Sequence, residues 1–249
     1  MLRHGYRRLV EKVFFGRHPL AAPLRKAAHL LIGGQREVTF RFRSGPAKGM
    51  RFSCLSSHKY FFVRDGYEHE LIEPLEQMIR PGMTVFDIGA HFGFWALALS
   101  RLCGSSGQVF AFEPIGENRT RLARNLDMNS ITNVKIVPLV VSNTAGTIRM
   151  SNEGSMSALE HGDLSVESTT IDLFCQQNAD PDFVLIDVEG FAGYVLRGAT
   201  ATYARKFIPT ICEIHNAREQ EEFEKFMDGR TIRQLDKRRR YAHRVIATD

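Results

Sequence analysis

Beyond residue 66 the chain alternates between two kinds of apolar pattern. Short, nearly continuous apolar runs at residues 83–88, 108–112, 134–141, 182–187 and 207–214 read as buried strands. Between them, apolar positions recur at helical spacing. Leu71, Leu75, Met78 and Ile79 mark a helix over 67–79, and 93–102, 117–128, 192–199 and 219–227 predict four more. Residues 147–150 and 168–173 are weaker extended pieces around a loop rich in Gly and Ser. Residues 231–235 and 241–247 read as two closing strands on either side of the basic run Lys237-Arg238-Arg239-Arg240. Strands that alternate with helices predict an α/β fold. The expected architecture is a mostly parallel, doubly wound sheet, covered on both faces, with an antiparallel edge strand supplied by the closing hairpin.

The first part of the chain is patterned differently. Residues 6–32 read as one or two basic amphipathic helices, broken near Pro19 and Pro23, and Gly33-Gly34 stops the helical pattern. Val38, Phe40 and Phe42 alternate with polar residues over 36–43, and 49–54 is a return strand, so a small hairpin is expected. This divides the chain into a basic N-terminal extension, 1–60, and a main domain, 61–249.

Composition narrows the class. With 249 residues, 43% of them hydrophobic, the chain can bury a full core without disulfides or a structural metal. Cys54, Cys103, Cys175 and Cys212 are scattered without zinc spacing, which favours a reducing compartment. No apolar run approaches the ~18 residues of a membrane span. Arg7, Arg8, Glu11, Lys12 and Arg17 interrupt any signal-peptide core, so a cytoplasmic protein is expected. Net charge is +5, but residues 1–50 hold 11 Lys and Arg against two acids. No nucleic-acid-reading motif accompanies this charge. Phe14, Phe15, Leu30, Leu31 and Ile32 lie beside it, which a purely electrostatic arm does not require. The extension is therefore expected to cover the substrate site or to mediate homodimerisation, rather than to bind nucleic acid.

The chemistry lies at the strand ends. Val85-Phe86-Asp87-Ile88-Gly89-Ala90-His91-Phe92-Gly93 follows one strand and opens a helix. Gly89 permits a sharp turn, while Ala90 and Gly93 keep the loop low, so that a ligand can lie against backbone and face the amides of the new helix. The spacing is neither the dinucleotide fingerprint nor a P-loop, which disfavours pyrophosphate. Phe112-Glu113-Pro114 then places an acid at the end of the next strand, where it can accept both hydroxyls of a ribose. Asp87 is placed to order the loop and to meet an amino group. Together these residues fit a nucleoside without phosphate and with a cationic amino-acid tail, namely S-adenosylmethionine. Two later strands end in Asp187-Val188-Glu189-Gly190 and Glu213-Ile214-His215. In a doubly wound sheet these ends converge on one crevice, where acids and a histidine can deprotonate a hydroxyl. Asp187 or His215 is the expected base, with Glu213 orienting the histidine. A divalent metal at these strand ends is the less favoured alternative.

The ordered set Val85–Gly93, Ala111-Phe112-Glu113-Pro114, Ile186-Asp187-Val188-Glu189-Gly190 and Glu213-Ile214-His215 resembles the FkbM family of S-adenosylmethionine-dependent methyltransferases. Gly66-Tyr67-Glu68, Asn125, Asn129, Asn133 and the small-residue loop Ser155-Met156-Ser157-Ala158-Leu159 add to the likeness, which covers residues 60–216. His91-Phe92 stands where the family often carries an Asn-Ile-like pair. The resemblance implies that Asp87, Gly89, Ala90 and Gly93 hold the methionine moiety and Glu113 the ribose. It further implies that Ser142 lies near the adenine and Asp187 beside the sulfonium methyl. The implied reaction is O-methylation of a hydroxyl on a small molecule, sugar or natural product. The alternatives are N-methylation, nucleic-acid methylation or a non-catalytic scaffold. The Asn/Asp-Pro-Pro-aromatic tetrapeptide of adenine-N6 methylases does not occur.

Overall fold

The structure, a computed structural model, describes residues 36–56, 58, 69–150, 164–235 and 243–248. The expected helices over 6–32, the 66–68 lead-in, the 155–159 loop and the 237–240 basic run lie outside these residues. The chain forms two compact units, one of residues 1–40 and 53–67 and one of residues 41–52 and 68–249. In the first, the described residues are mainly extended: strand β1 (Glu37–Arg41) begins there and β2 (Arg51–Leu55) ends there. The two strands form a two-stranded sheet.

The second unit is built on a seven-stranded sheet. Its elements in chain order are α1 (His69–Met78), β3 (Thr84–Ile88), α2 (Phe94–Cys103), β4 (Gln108–Phe112), α3 (Gly116–Asp127) and β5 (Val134–Val137). A small three-stranded sheet follows, made of β6 (Val140–Val141), β7 (Gly146–Met150) and β8 (Leu164–Thr169). Then come α4 (Ile171–Phe174), β9 (Phe183–Ile186), α5 (Ala192–Arg197), α6 (Thr200–Arg205), β10 (Thr210–Ile214), α7 (Ala217–Phe226), β11 (Thr231–Gln234) and β12 (His243–Thr248). The main sheet has the order β11-β12-β10-β9-β3-β4-β5. It is parallel from β10 through β5, and β12 runs antiparallel to both β10 and β11. The chain winds outward from β3 to β4 and β5, then returns to place β9 on the other side of β3. That reversal opens a crevice beyond the carboxyl ends of β3 and β9.

The central strands are buried on both faces, which is why they read as apolar runs rather than alternations. Phe86, Phe110 and Phe112 share one face and meet Phe174 edge-on, at centroid distances of 5.5, 5.2 and 4.9 Å. Helix α2 packs on β3 and β4. The segment 41–52 is held within the same unit. Phe42 lies 5.2 Å from Phe94 between ring centroids, and Asn129 offers its amide to Arg51 as a strand would, accepting from its N–H and donating to its carbonyl at 2.7 Å each.

Three local expectations are revised. The run 134–141 is two strands, because Pro138 carries no N–H for the ladder, and β6 pairs with β8 in the small sheet instead. Residues 171–174 form a helical turn rather than an extended piece, with the Thr170 hydroxyl accepting from the Leu173 N–H at 2.9 Å. Helix α6 is an addition to the expected elements. Among the described residues, no helix is long and apolar enough to cross a membrane.

Candidate active site

The turn after β3 is shaped by its neighbours. The N–H groups of Gly89 and Ala90 both donate to the Phe112 carbonyl, at 3.0 Å each, hanging the loop on the end of β4. These two amides are therefore engaged within the protein. Gly89 has φ 93°, and a Cβ there would lie 2.1 Å from the carbonyl oxygen of Asp187. Gly93 has φ 87°, and a Cβ there would lie 2.2 Å from Leu122 Cδ1. Both glycines are demanded by conformation and by close approach. The Asp187 N–H donates to the Ile88 carbonyl at 2.9 Å, so the exits of β3 and β9 are in direct contact. Asp87, at the end of β3, is buried, as is Ala90.

Glu113 follows β4 and is 4% exposed. Its Oε2 accepts from the His91 N–H at 2.8 Å, and its Oε1 accepts from the Ile115 N–H at 2.8 Å and from Asn118 Nδ2 at 3.2 Å. His91 adopts φ 49°, a left-handed conformation that only a few non-glycine residues take, and its N–H meets the carboxylate. Burial pushes the Glu113 carboxyl above the usual carboxylate range. The donors Ile115, Asn118 and His91 and the charge of Arg119 offset part of this. A carboxylate has about four acceptor positions, so three donors fix its orientation and leave capacity for ligand hydroxyls.

Ser142 directly follows β6 of the small sheet. Its hydrogen bonds run to Asn143 Oδ1 at 3.2 Å and, from its N–H, to the Thr169 carbonyl at 2.8 Å. Asn125, Asn129 and Asn133 have structural work: Asn125 Nδ2 donates to the Phe92 carbonyl and Asn133 Nδ2 to the carbonyls of Ser100 and Gly104.

Asp187, Glu213 and His215 are brought together, and a residue that sequence reasoning missed joins them. Arg244 on β12 is 2% exposed, and its Nη2 lies 3.2 Å from Glu213 Oε1 and 3.5 Å from Asp187 Oδ2. The other Glu213 oxygen, Oε2, lies 3.7 Å from His215 Nε2. Glu189 Oε2 approaches the same Nε2 at 3.4 Å. The Gly190 N–H reaches His215 Nδ1 at 3.4 Å and Glu219 Oε2 lies 3.6 Å from the same nitrogen, so acids face the imidazole at both ring nitrogens. Glu219, also missed, is buried at the start of α7. Its Oε2 accepts from the His215 N–H at 2.8 Å and its Oε1 from the Ala192 N–H at 3.0 Å. Burial would lower the His215 pKa, but Glu219, Glu189 and Asp187 outweigh it and hold the imidazole above its ordinary 6.5. Burial would likewise raise Glu219, yet its bonds to His215 and Ala192 hold it below the usual range. Among the described residues, no group of three His, Cys, Asp or Glu side chains is arranged to hold a metal ion.

A sheet of this order, with strand-end acids after β3, β4 and β9, defines a Rossmann-like S-adenosylmethionine-dependent methyltransferase. The chain belongs to the FkbM methyltransferases: the model of the methyltransferase FkbM domain matches residues 87–242. The hexuronic acid methyltransferase AglP of Haloferax volcanii is 30% identical over 210 residues, covering 78% of this chain and 81% of that protein. Among solved structures, methyltransferase FkbM from Methylobacillus flagellatus KT superposes with a TM-score of 0.52 at 15% identity, over 78% of this chain and 54% of that one. Aeropyrum pernix fibrillarin with bound S-adenosyl-L-methionine superposes with a TM-score of 0.53 at 16% identity, over 88% of this chain and 86% of that one. These structural likenesses carry the fold.

Proposed function

We propose that the protein methylates an oxygen of a sugar or glycan acceptor, a hydroxyl first among the candidates, and that Asp187 takes up the proton. The observation that carries this reading is the placement of Asp187. It stands at the switch between β3 and β9, with its side chain 28% exposed against 9% for Glu213. The sugar class is supported by the name of the relative, a hexuronic acid methyltransferase.

Asp87 and the turn Gly89, Ala90 and Gly93 form the floor of the cofactor site in this reading, and the remaining acceptor positions of Glu113 take the ribose hydroxyls. When bound, S-adenosylmethionine supplies an electrophilic methyl group. Four acids (Asp187, Glu189, Glu213 and Glu219) against Arg244 and His215 make the crevice electronegative, which suits a cationic sulfonium. An aliphatic hydroxyl becomes a competent nucleophile only as its proton leaves. Carboxylates flank both ring nitrogens of His215, Glu219 at Nδ1 and Glu189 and Glu213 at Nε2. The imidazole is poised as a cation or donor, which leaves proton acceptance to Asp187. Alignment of the hydroxyl in line with the methyl is the other contribution of the crevice.

The test is incubation of the purified protein with methyl-labelled cofactor and a panel of uronic acids, neutral sugars, RNA and DNA. Label in a sugar, stable to mild alkali as an ether, is the expected result. Alkali-labile label moves the acceptor atom to a carboxylate oxygen. Transfer to nucleic acid alone overturns the proposal.

A further inference from the structure

We infer that Arg244 is a positioning residue for methyl transfer: its guanidinium holds the Asp187 carboxylate in the crevice from behind and takes one oxygen of Glu213, leaving only the other to His215. The inference rests on the reading that Asp187 and His215 face the acceptor. It goes beyond that reading because Arg244 lies outside the residues that the family model matches, on a strand antiparallel to both of its neighbours.

The geometry is specific. Arg244 stands opposite Glu213 in the β10–β12 register. One nitrogen reaches acids from two different strands, Glu213 Oε1 at 3.2 Å and Asp187 Oδ2 at 3.5 Å. A cation 98% removed from solvent is tolerated only where acids compensate it, and here two do. Of the pair, Asp187 alone combines this anchor with substantial exposure. The second oxygen of Glu213 faces His215 Nε2 at 3.7 Å, so the four side chains form a line, Asp187–Arg244–Glu213–His215. The groups that face the imidazole are Glu189 beyond β9, Glu213 on β10 and Glu219 on α7. Asp187 adds its charge from the end of β9, and Arg244 is the opposing charge from β12. Lysine could supply the charge, but its compact ammonium on a flexible stem would not fix a nitrogen between the two carboxylates as the planar guanidinium does.

The test compares wild type with Arg244→Lys and with the charge-balanced pair Arg244→Gln/Glu213→Gln. Three quantities are read: cofactor affinity by calorimetry, the His215 imidazole titration by NMR, and kcat and KM for the acceptor. The NMR readout needs no acceptor. In Arg244→Lys we expect cofactor affinity within about threefold of wild type and kcat lower by about tenfold or more, the scale of a small misplacement of a reacting group. The His215 midpoint should rise, because a flexible ammonium cannot hold both carboxylates at once and partly releases Glu213 to the imidazole. In the double variant the midpoint should fall while kcat is again lost. If Arg244→Lys does not fold, the double variant decides. Wild-type kcat, or an unmoved His215 midpoint, overturns the role of Arg244. A wild-type protein that binds cofactor but methylates no sugar refutes the functional reading instead, and the NMR arm still decides the line of charges.

Discussion

The backbone oxygen of Asp187 lies where a side chain on Gly89 would have to begin, 2.1 Å from the position of its Cβ. The turn that opens the cofactor site and the strand that delivers the candidate base therefore share one contact. At φ 93° an alanine is also strained, by roughly 1–2 kcal/mol before any clash. Gly89→Ala is expected to destabilise the fold by about 2 kcal/mol or more. It should lower kcat even in the surviving folded fraction, because Asp187 must move. Thermal denaturation together with single-turnover rates would check this. Wild-type values in both would mean that the turn and the β9 exit are not coupled.

Glu113 gives a prediction with opposite signs for stability and binding. Its folded pKa is raised by burial, so the folded state binds more protons than the unfolded chain in the window between the two pKa values. The ionised carboxylate therefore weakens the cofactor-free fold at neutral pH, and the deficit is recovered as pH falls through the folded pKa. Glu113→Gln should raise the Tm of the cofactor-free protein. It should also weaken cofactor affinity by about tenfold or more, since hydrogen bonds to a charged group contribute roughly 1.5–3 kcal/mol. A purely structural Glu113 would leave calorimetric affinity unchanged.

Asp187 and His215 are separable by pH. Asp187→Asn should reduce turnover by roughly 10²–10⁴-fold with cofactor affinity near wild type, as for loss of a general base. For His215 the sign decides. Its folded pKa stands above 6.5, so any stabilisation from its cationic form is complete below the unfolded pKa and lost as pH rises through the folded one. If the cation is the working form, activity falls across that same rise, and the limb disappears in His215→Gln. Activity that instead climbs through this window makes His215 the base.

How far the sequence carried this picture follows from physical range. The strand-end acids and the glycine turn are local: each depends on a strand, a turn and the next helix, and Asp87, Gly89, Glu113 and Asp187 could be placed in order from patterning alone. The break at Pro138 rests on one missing donor inside an otherwise continuous apolar run, and the run's pattern alone does not show it. The small sheet depends on β6 pairing with β8 across nearly thirty residues, a non-local choice that periodicity does not encode. Glu219 left a readable signal, since Asn216-Ala217-Arg218-Glu219 follows the capping-box spacing. The Asn216 side chain accepts from the Glu219 N–H, while the Glu219 carboxylate accepts from the Asn216 side-chain amide and from the His215 N–H one residue earlier. Arg244 left a weaker one, a lone cation beside the apolar run Val245-Ile246-Ala247. Its meaning came only from the register that sets it opposite Glu213.

That register also bears on metal dependence. Two carboxylates at the ends of neighbouring strands are the usual way to hold magnesium, whose ligands are oxygens at short, nearly fixed distances. Here the guanidinium of Arg244 stands between Asp187 and Glu213, at 3.5 and 3.2 Å, and supplies the positive charge that would otherwise come from a cation. A second cation in the same space would meet that fixed charge at close range. Methyl transfer is therefore expected to be insensitive to EDTA and to added magnesium or manganese in the wild type. The informative comparison is Arg244→Gln, where two acids lose their shared counter-charge and the space between them opens. Magnesium should raise the Tm of that variant while leaving wild type unmoved. Activity abolished by EDTA in the wild type and restored by magnesium would show that Arg244 does not replace the metal.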